Sequence, residues 1–326
     1  MNEKIKIAVL GTGKIIPDAI YAMQQSKKFD VVGIFARPHS KSKAESLAEK
    51  FNIKKIFTDY DELLADLEIN FVYVGLINAV HYEYAKKALD ANKNVILEKP
   101  FTVKFSEAEE ISNLAVEKNL YLFEAITTLH CPNFYKIRDS LKNLGEIKLI
   151  QCNFSQYSSR YDDYKSGKVA PAFDPKFYGG TLYDINIYNI NFVVGLFGEP
   201  QSIEYFSNHG FNGVDTSGIL ILKYENFIAQ CTAAKDSGSS SFLMIQGDNG
   251  YIKVDGTANE LANVEINIRG NEVEKINLNQ FDHRMIHEFI EFADTFQNKN
   301  YDVMKNSLEK SKIVVKIVET ASKAGL

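Results

Sequence analysis

Residues 4–13 read KIKIAVLGTG, a strand that turns apolar after Lys6 and runs straight into two glycines one residue apart. A helical pattern follows from about Ile15 to Gln25. Glycines between a first strand and a first helix allow a tight turn and let the backbone approach a pyrophosphate closely. The N–H groups and positive end of the helix then favour the phosphates. The third glycine position of the fingerprint is Ile16, so the motif is incomplete, and GxG by itself also fits a purely structural turn. Its position at the head of a strand–helix array favours the dinucleotide reading.

Working outward, the segment 31–36 (VVGIFA) reads as a second strand, and 40–51 places Ala44, Leu47, Ala48 and Phe51 on one helical side. Asp59 is placed to cap a short helix to Leu67, and 70–76 (NFVYVGL) is a strand. A helix is expected over 80–91, a strand over 94–97, and a capping box from Ser106 to Glu109 before a helix to about Glu117. A strand at 120–125 completes the set. Strands alternating with helices imply βαβ units and a parallel sheet covered on both faces.

After about residue 145 the rhythm changes. Runs 147–155, 201–207, 217–224, 227–234, 241–247 and 250–254 succeed one another as strands, several across short polar turns such as Asp248-Asn249-Gly250. A helix over 180–196 and two closing helices, 282–297 and 304–324, accompany them. The expected fold is an α/β Rossmann domain, residues 1–122, followed by an α+β domain, residues 123–326, on a broad, mainly antiparallel sheet. That sheet invites a partner subunit.

The chain has 326 residues, 45% hydrophobic and 24% charged, enough for two ordinary cores. A net charge of -5 without a basic stripe argues against nucleic acid as a partner. Cys131, Cys152 and Cys231 are odd in number and lack metal-ligand spacing, so buried thiols are expected. His283 and His287 stand four apart, but HRMIH lacks the glutamate position of HExxH, and no metal is expected. Lys4 and Lys6 interrupt any signal-like apolar region, and no apolar run nears the roughly 20 residues that span a bilayer. The expected location is cytoplasmic.

The end of the second strand holds the group that reads the adenosine ribose, usually an acid when the cofactor is NAD. Here the sequence is Ala36-Arg37-Pro38-His39-Ser40. Arg37 is a bidentate cation suited to a phosphate, Ser40 adds a hydroxyl, and no acid repels a 2'-phosphate. NADP is therefore expected in preference to NAD.

Two segments carry the chemistry. NVILEKPF, residues 94–101, puts Glu98-Lys99-Pro100 at a strand's carboxyl end, where ligands of open α/β sheets sit. Farther on, Gly179 and Gly180 open a helix whose Asp184 and Tyr188, four apart, share a face. A hydride moving to or from a carbinol carbon needs a matching proton at the oxygen, and a tyrosine beside a lysine supplies one.

These motifs together resemble the glucose–fructose oxidoreductase/inositol dehydrogenase family, often called Gfo/Idh/MocA. The likeness rests on GTG at 11–13, Asn78 to His81, Glu98-Lys99-Pro100, the glycine-led helix with Asp184, and Val214-Asp215 to Gly250-Tyr251. Many members carry histidine where this chain has Tyr188. The tyrosine form, with Glu124-Ala125-Ile126, is similar to the branch that includes dimeric dihydrodiol dehydrogenase. The resemblance implies Lys99 and Tyr188 as the catalytic pair, with Asp184 orienting or contacting substrate, and a cis bond before Pro100. It implies cofactor contacts at Gly11, Thr12, Gly13, Lys14 and Ile15 in the first turn. Ala36, Arg37 and Ser40 follow, then Asn78, His81, Glu98 and Lys99. Thr127 and Leu129 stand where that branch has tryptophan and arginine, and the chain has no tryptophan, so the substrate pocket differs. The expected activity is hydride transfer to or from a sugar, polyol or related hydroxy/carbonyl small molecule. The alternatives are a dinucleotide-sensing regulator and a glycosidase with retained NAD.

Overall fold

A computed structural model describes residues 3–324. The first part of the chain alternates β1 (Ile5–Leu10), α1 (Ile15–Ser26), β2 (Phe29–Phe35), α2 (Lys41–Phe51), β3 (Lys55–Phe57), α3 (Tyr60–Ala65), β4 (Phe71–Val74), α4 (His81–Asp90), β5 (Asn94–Glu98), α5 (Phe105–Glu117) and β6 (Leu122–Ala125). Then come α6 (Pro132–Ser140), β7 (Ile147–Ser155), α7 (Tyr161–Lys165) and, after a π-helical turn Leu182–Asn186, α8 (Ile187–Phe197). The strands β8 (Ser202–His209), β9 (Asp215–Lys223), β10 (Ile228–Ala234), β11 (Phe242–Gly247), β12 (Gly250–Asp255), β13 (Val264–Ile268) and β14 (Glu274–Ile276) follow, and α9 (Met285–Gln297) and α10 (Tyr301–Ala324) close the chain.

The first six strands form one parallel sheet in the order β3-β2-β1-β4-β5-β6. Its central strands are buried on both faces, as a sheet covered by helices on either side requires. Strand order reverses between β1 and β4, which marks where ligands of such sheets bind. The second sheet has eight strands in the order β14-β13-β12-β11-β7-β10-β9-β8. It is antiparallel except for β7 against β10, which run parallel with Cys152 opposite Cys231. In β9 and β10 buried residues alternate with more exposed ones, so this sheet packs a core on one face.

The helices 132–140 and 161–165 and the strands β3, β13 and β14 are additional to the expected elements. Pro132 at the first helical position and buried Phe134 and Ile137 three apart are the local signals for α6. Asp59 caps α3 as expected, accepting from the Asp61 N–H at 2.7 Å. Ser106, by contrast, lies inside α5, whose N-cap is Lys104 without a side-chain cap, so no capping box forms there.

Two compact units result. One comprises the chain up to Ala125 together with Phe281–Lys312, and the other comprises Ile126–Gln280 with the chain from Ile313. The division expected at 122/123 would cut through β6, which pairs along its length with β5. The closing helix 282–297, expected in the second domain, packs on the first sheet instead. The reason is an aromatic stripe: Phe289 meets Phe29 and Tyr73, Phe292 stacks on Phe123 at 4.7 Å, and Phe296 meets Phe71 edge-on at 5.0 Å. A fully buried phenylalanine contributes roughly 1.5–3 kcal/mol relative to exposure, so this stripe decides which sheet α9 covers.

That buried face also carries Glu288, which is 0% exposed and has no hydrogen-bond partner for either carboxyl oxygen. Burial pushes its pKa well above the ordinary carboxylate range, the negative Glu98 adds to this, and Arg284 opposes it. With the folded pKa above the unfolded value of ~4.3, the protonated group's contribution is fully present below that value. It is lost as pH rises through the folded pKa. Glu288→Gln, which stays neutral, should therefore match wild type near pH ~4 and exceed it by about 1–3 kcal/mol at pH ~8. Chemical denaturation across this range checks it; a gap that shrinks with rising pH contradicts it.

Candidate active site

In the first unit, the sheet order sets four strand-end loops side by side along the carboxyl edge of β2, β1, β4 and β5. The loop after β1 holds Gly11 to Ile15, that after β2 holds Ala36 to Ser40, that after β4 holds Asn78 to His81, and β5 ends in Glu98-Lys99. Every residue expected to contact a cofactor belongs to one of these four segments.

Gly11 is held at φ +112°, and a Cβ there would lie 2.7 Å from the Gly75 carbonyl oxygen. The fold itself requires this glycine. Gly13 is different: a Cβ on it would meet nothing within 4 Å, and its φ needs no glycine. The chain's own packing gives no reason for glycine here, whereas the close approach of a pyrophosphate does. The place of the third glycine is filled by Ile16, buried at 0% exposure. Its Cδ1 occupies space that a Cβ on Gly75 would need, at 2.7 Å, so the glycine that permits close packing stands at the end of β4. The first-turn backbone of α1 has no side-chain cap, so these N–H donors suit an anion.

Arg37 is exposed directly after β2 and precedes the short 3-10 turn Pro38–Ser40, whose Ser40 N–H donates to the Arg37 carbonyl at 2.8 Å. His81 is buried; its Nδ1 lies 2.8 Å from the Pro100 carbonyl oxygen and its Nε2 3.1 Å from that of Leu76. Burial lowers its pKa against the pull of these two carbonyls, and Lys99 lowers it further. With both ring nitrogens on backbone carbonyls, His81 ties the β4 loop to the turn after β5. His81 thus stands on the strand-end edge where a cofactor contact is expected of it, with its ring held by the fold.

The Lys99–Pro100 peptide is cis, and Lys99 is half-buried. Glu98 is buried, accepts a hydrogen bond from the Tyr73 hydroxyl, and has its pKa raised by burial against that bond and the charge of Lys99. Beside it, Glu124 of β6 accepts from the Phe101 N–H at 3.1 Å. Two buried carboxyls thus brace the turn that carries the lysine.

The second unit holds Asp184 and Tyr188. The helix expected over 180–196 divides into the π-helical turn 182–186, with Asp184 in it, and α8, with Tyr188 in its first turn. Single π-helical turns inside helices frequently occur at functional sites. Tyr188 is 7% exposed and lies 6.1 Å from the Phe154 ring. Gly180, at φ +108°, leaves room for Asp215, whose oxygen would clash with a Cβ at 1.9 Å. Asp215 accepts from the Leu182 N–H and the Tyr205 hydroxyl, each at 2.7 Å, and so caps the turn. Burial raises its pKa against those two bonds.

Asp184 meets a residue that sequence reading missed. Lys235, just after β10, donates to Asp184 Oδ2 at 2.7 Å. Nothing local points to it, because the lysine lies far along the chain and is brought to Asp184 by the sheet.

Cys131, Cys152 and Cys231 are buried thiols outside any disulfide. Burial, then the neighbouring Cys231, raises the Cys152 pKa. His283 packs edge-on to Tyr21, and His287 packs on Phe281. Among the described residues, no group of three His, Cys, Asp or Glu side chains is placed to hold a metal ion. No helix among them is long and apolar enough to cross a membrane.

Residues 5–125 match the model of the Gfo/Idh/MocA oxidoreductase family with an NAD-binding Rossmann fold, and residues 138–253 match a Gfo/Idh/MocA C-terminal domain. The NADP(+)-dependent scyllo-inositol 2-dehydrogenase IolU of Bacillus subtilis is 32% identical over 319 residues, 98% of this chain and 96% of that one. The trans-1,2-dihydrobenzene-1,2-diol dehydrogenase of Danio rerio is 29% identical over 257 residues, 77% of this chain and 74% of that one. The 3-ketoreductase KijD10 of Actinomadura kijaniata, solved with NADP and TDP-benzene, shares the fold at TM-score 0.83 and 23% identity, with 96% of each chain covered. With both halves matched and a relative similar from end to end, the chain belongs to the Gfo/Idh/MocA family of NAD(P)-dependent oxidoreductases.

Proposed function

We propose that this enzyme is an NADP-dependent dehydrogenase or reductase of a sugar, polyol or related hydroxy/carbonyl compound, with Lys99, Tyr188 and Asp184 acting on the substrate. The observation that carries the reading is the sheet edge on which Gly13, free of any packing need for glycine, is accompanied by Arg37 after β2 and Lys99 at the end of β5. Gly11 to Ile15 would hold the cofactor's pyrophosphate, and Arg37 with Ser40 would pair with its 2'-phosphate. When bound, the nicotinamide supplies or accepts the hydride.

In the reducing direction Tyr188 gives its phenolic proton to the carbonyl oxygen. The Lys99 ammonium stabilises the negative charge that develops on the substrate oxygen. Asp184 accepts a hydrogen bond from a substrate hydroxyl and fixes its orientation. In the oxidising direction the same groups take the proton back. The relatives named above act on an inositol and on a dihydrodiol, both with hydroxyls on neighbouring carbons, which supports the substrate class.

Replacing Arg37 by alanine should weaken NADPH binding about 10- to 100-fold, the loss of one or two charge-assisted hydrogen bonds, and leave NADH within about threefold. Fluorescence titration with both cofactors reads this; equal losses for the two would remove Arg37 from the 2'-phosphate.

We further infer a homodimer or homotetramer formed through the outer face of the second sheet, and a cytoplasmic location. Phe206, 62% exposed and opposite Ile219 in register, and Ile228, 46% exposed, support the first. Three thiols outside disulfides support the second.

A further inference from the structure

We infer that Lys235 is a positioning residue that locks Asp184 against the 3-10 turn Pro171–Phe173 and so sets how tightly the site holds a substrate hydroxyl. This rests on the assignment of Asp184 to substrate made above.

Lys235 is built in from every side. Its N–H donates to the Thr216 carbonyl at 2.8 Å, and its own carbonyl accepts from the Ser158 N–H at 2.9 Å. The side chain is only 4% exposed, although lysines are almost never buried unless paired. Its ammonium donates to Asp184 Oδ2 at 2.7 Å and to the Ala172 carbonyl at 2.6 Å, and it lies 4.2 Å from the centre of the Phe173 ring. Those contacts fix the head in one place.

Asp184 stands on the other side of this pair with its side chain 35% exposed, so the carboxylate reaches the surface of the unit while its counter-ion lies beneath. The nearby acid Asp215 is committed to capping the helix turn. The division of labour follows: Asp215 holds the backbone, and Asp184 is aimed by Lys235. An ionised carboxylate only accepts hydrogen bonds, and an opposite charge at this distance favours that form. A site so arranged selects substrates that present a hydroxyl donor beside the reacting carbon.

The test is a double-mutant cycle on the full-length enzyme, with scyllo-inositol and NADP as probes and carbon NMR of the Asp184 carboxyl as a readout independent of turnover. Lys235→Met should raise KM about 10- to 100-fold with kcat within about threefold, and should add less than about threefold once Asp184 is Asn. The Asp184 carboxyl should titrate at higher pH in Lys235→Met. If that variant does not fold, Lys235→Arg carries the test: its planar head keeps the charge but not both contacts, so KM rises while NADPH affinity holds. Losses that simply add across the cycle, or an Asp184 titration that Lys235→Met leaves unmoved, overturn the role of Lys235. An Asp184→Asn enzyme with wild-type KM instead overturns the assignment of Asp184 to substrate, whatever Lys235 does.

Discussion

Changing Tyr188 to phenylalanine or Lys99 to alanine should slow single-turnover oxidation of NADPH by about a hundred- to ten-thousand-fold, the usual worth of general acid–base help. Phenylalanine deletes only the hydroxyl. Its ring keeps the buried position next to Phe154, 6.1 Å away, so the fold is not at issue. The lysine variant removes a positive charge from a turn that Glu98, Tyr73 and His81 already hold in shape. NADPH affinity in Tyr188→Phe should stay within about threefold of wild type, since the proposed phosphate contacts all lie on the strand-end loops of the first unit. Rapid-mixing absorbance separates the two quantities. Full-rate turnover in both variants would remove them from the chemistry. NADPH binding without turnover in wild type, across inositols, aldoses and dicarbonyls, would favour a dinucleotide-sensing role.

The second large effect separates two glycines that the sequence presents as equals. Gly11→Ala forces a side chain onto φ +112° with its Cβ 2.7 Å from a backbone oxygen of Gly75. Neither strand end can yield, because the Gly75 N–H is bonded to the Leu10 carbonyl at 3.1 Å. A loss of about 2–4 kcal/mol in folding stability is expected. Gly13→Ala meets no atom within 4 Å and should leave the melting temperature within about 2 °C of wild type. It should nevertheless weaken NADPH at least about tenfold, because in the proposed binding mode its methyl group would stand where the backbone approaches the phosphates. Calorimetry and fluorescence titration on the two variants decide this. A Gly13→Ala protein with wild-type affinity would strip that glycine of its cofactor role.

The contrast shows what a sequence discloses. The run KIKIAVLGTG and the strand–helix alternation after it were legible because strand burial, turn and helix start are local properties of neighbouring residues. Ile16 looked like a defect in the fingerprint for the same reason: the compensating Gly75 lies on another strand, and only folding sets the two together. The α9 stripe of Phe289, Phe292 and Phe296 announced a buried face but not which sheet it would cover. Asp184 and Tyr188 could be placed on one helix from their spacing. Neither the π-helical turn that holds Asp184 nor the buried Lys235 beneath it leaves a periodic signal. His81 was visible as a residue near a ligand edge, but the carbonyls of Pro100 and Leu76 that hold its ring belong to separate loops and left no local signal.

The most direct measurement follows the hydrogen itself. NADPH carrying deuterium at the transferable position of the nicotinamide is mixed with the enzyme and a carbonyl compound that it reduces, and the product is weighed by mass spectrometry. The account predicts one deuterium on the carbinol carbon of the product, transferred without loss to water and much more slowly in Tyr188→Phe. Product free of deuterium, or label that passes at the wild-type rate without the Tyr188 hydroxyl, would contradict it.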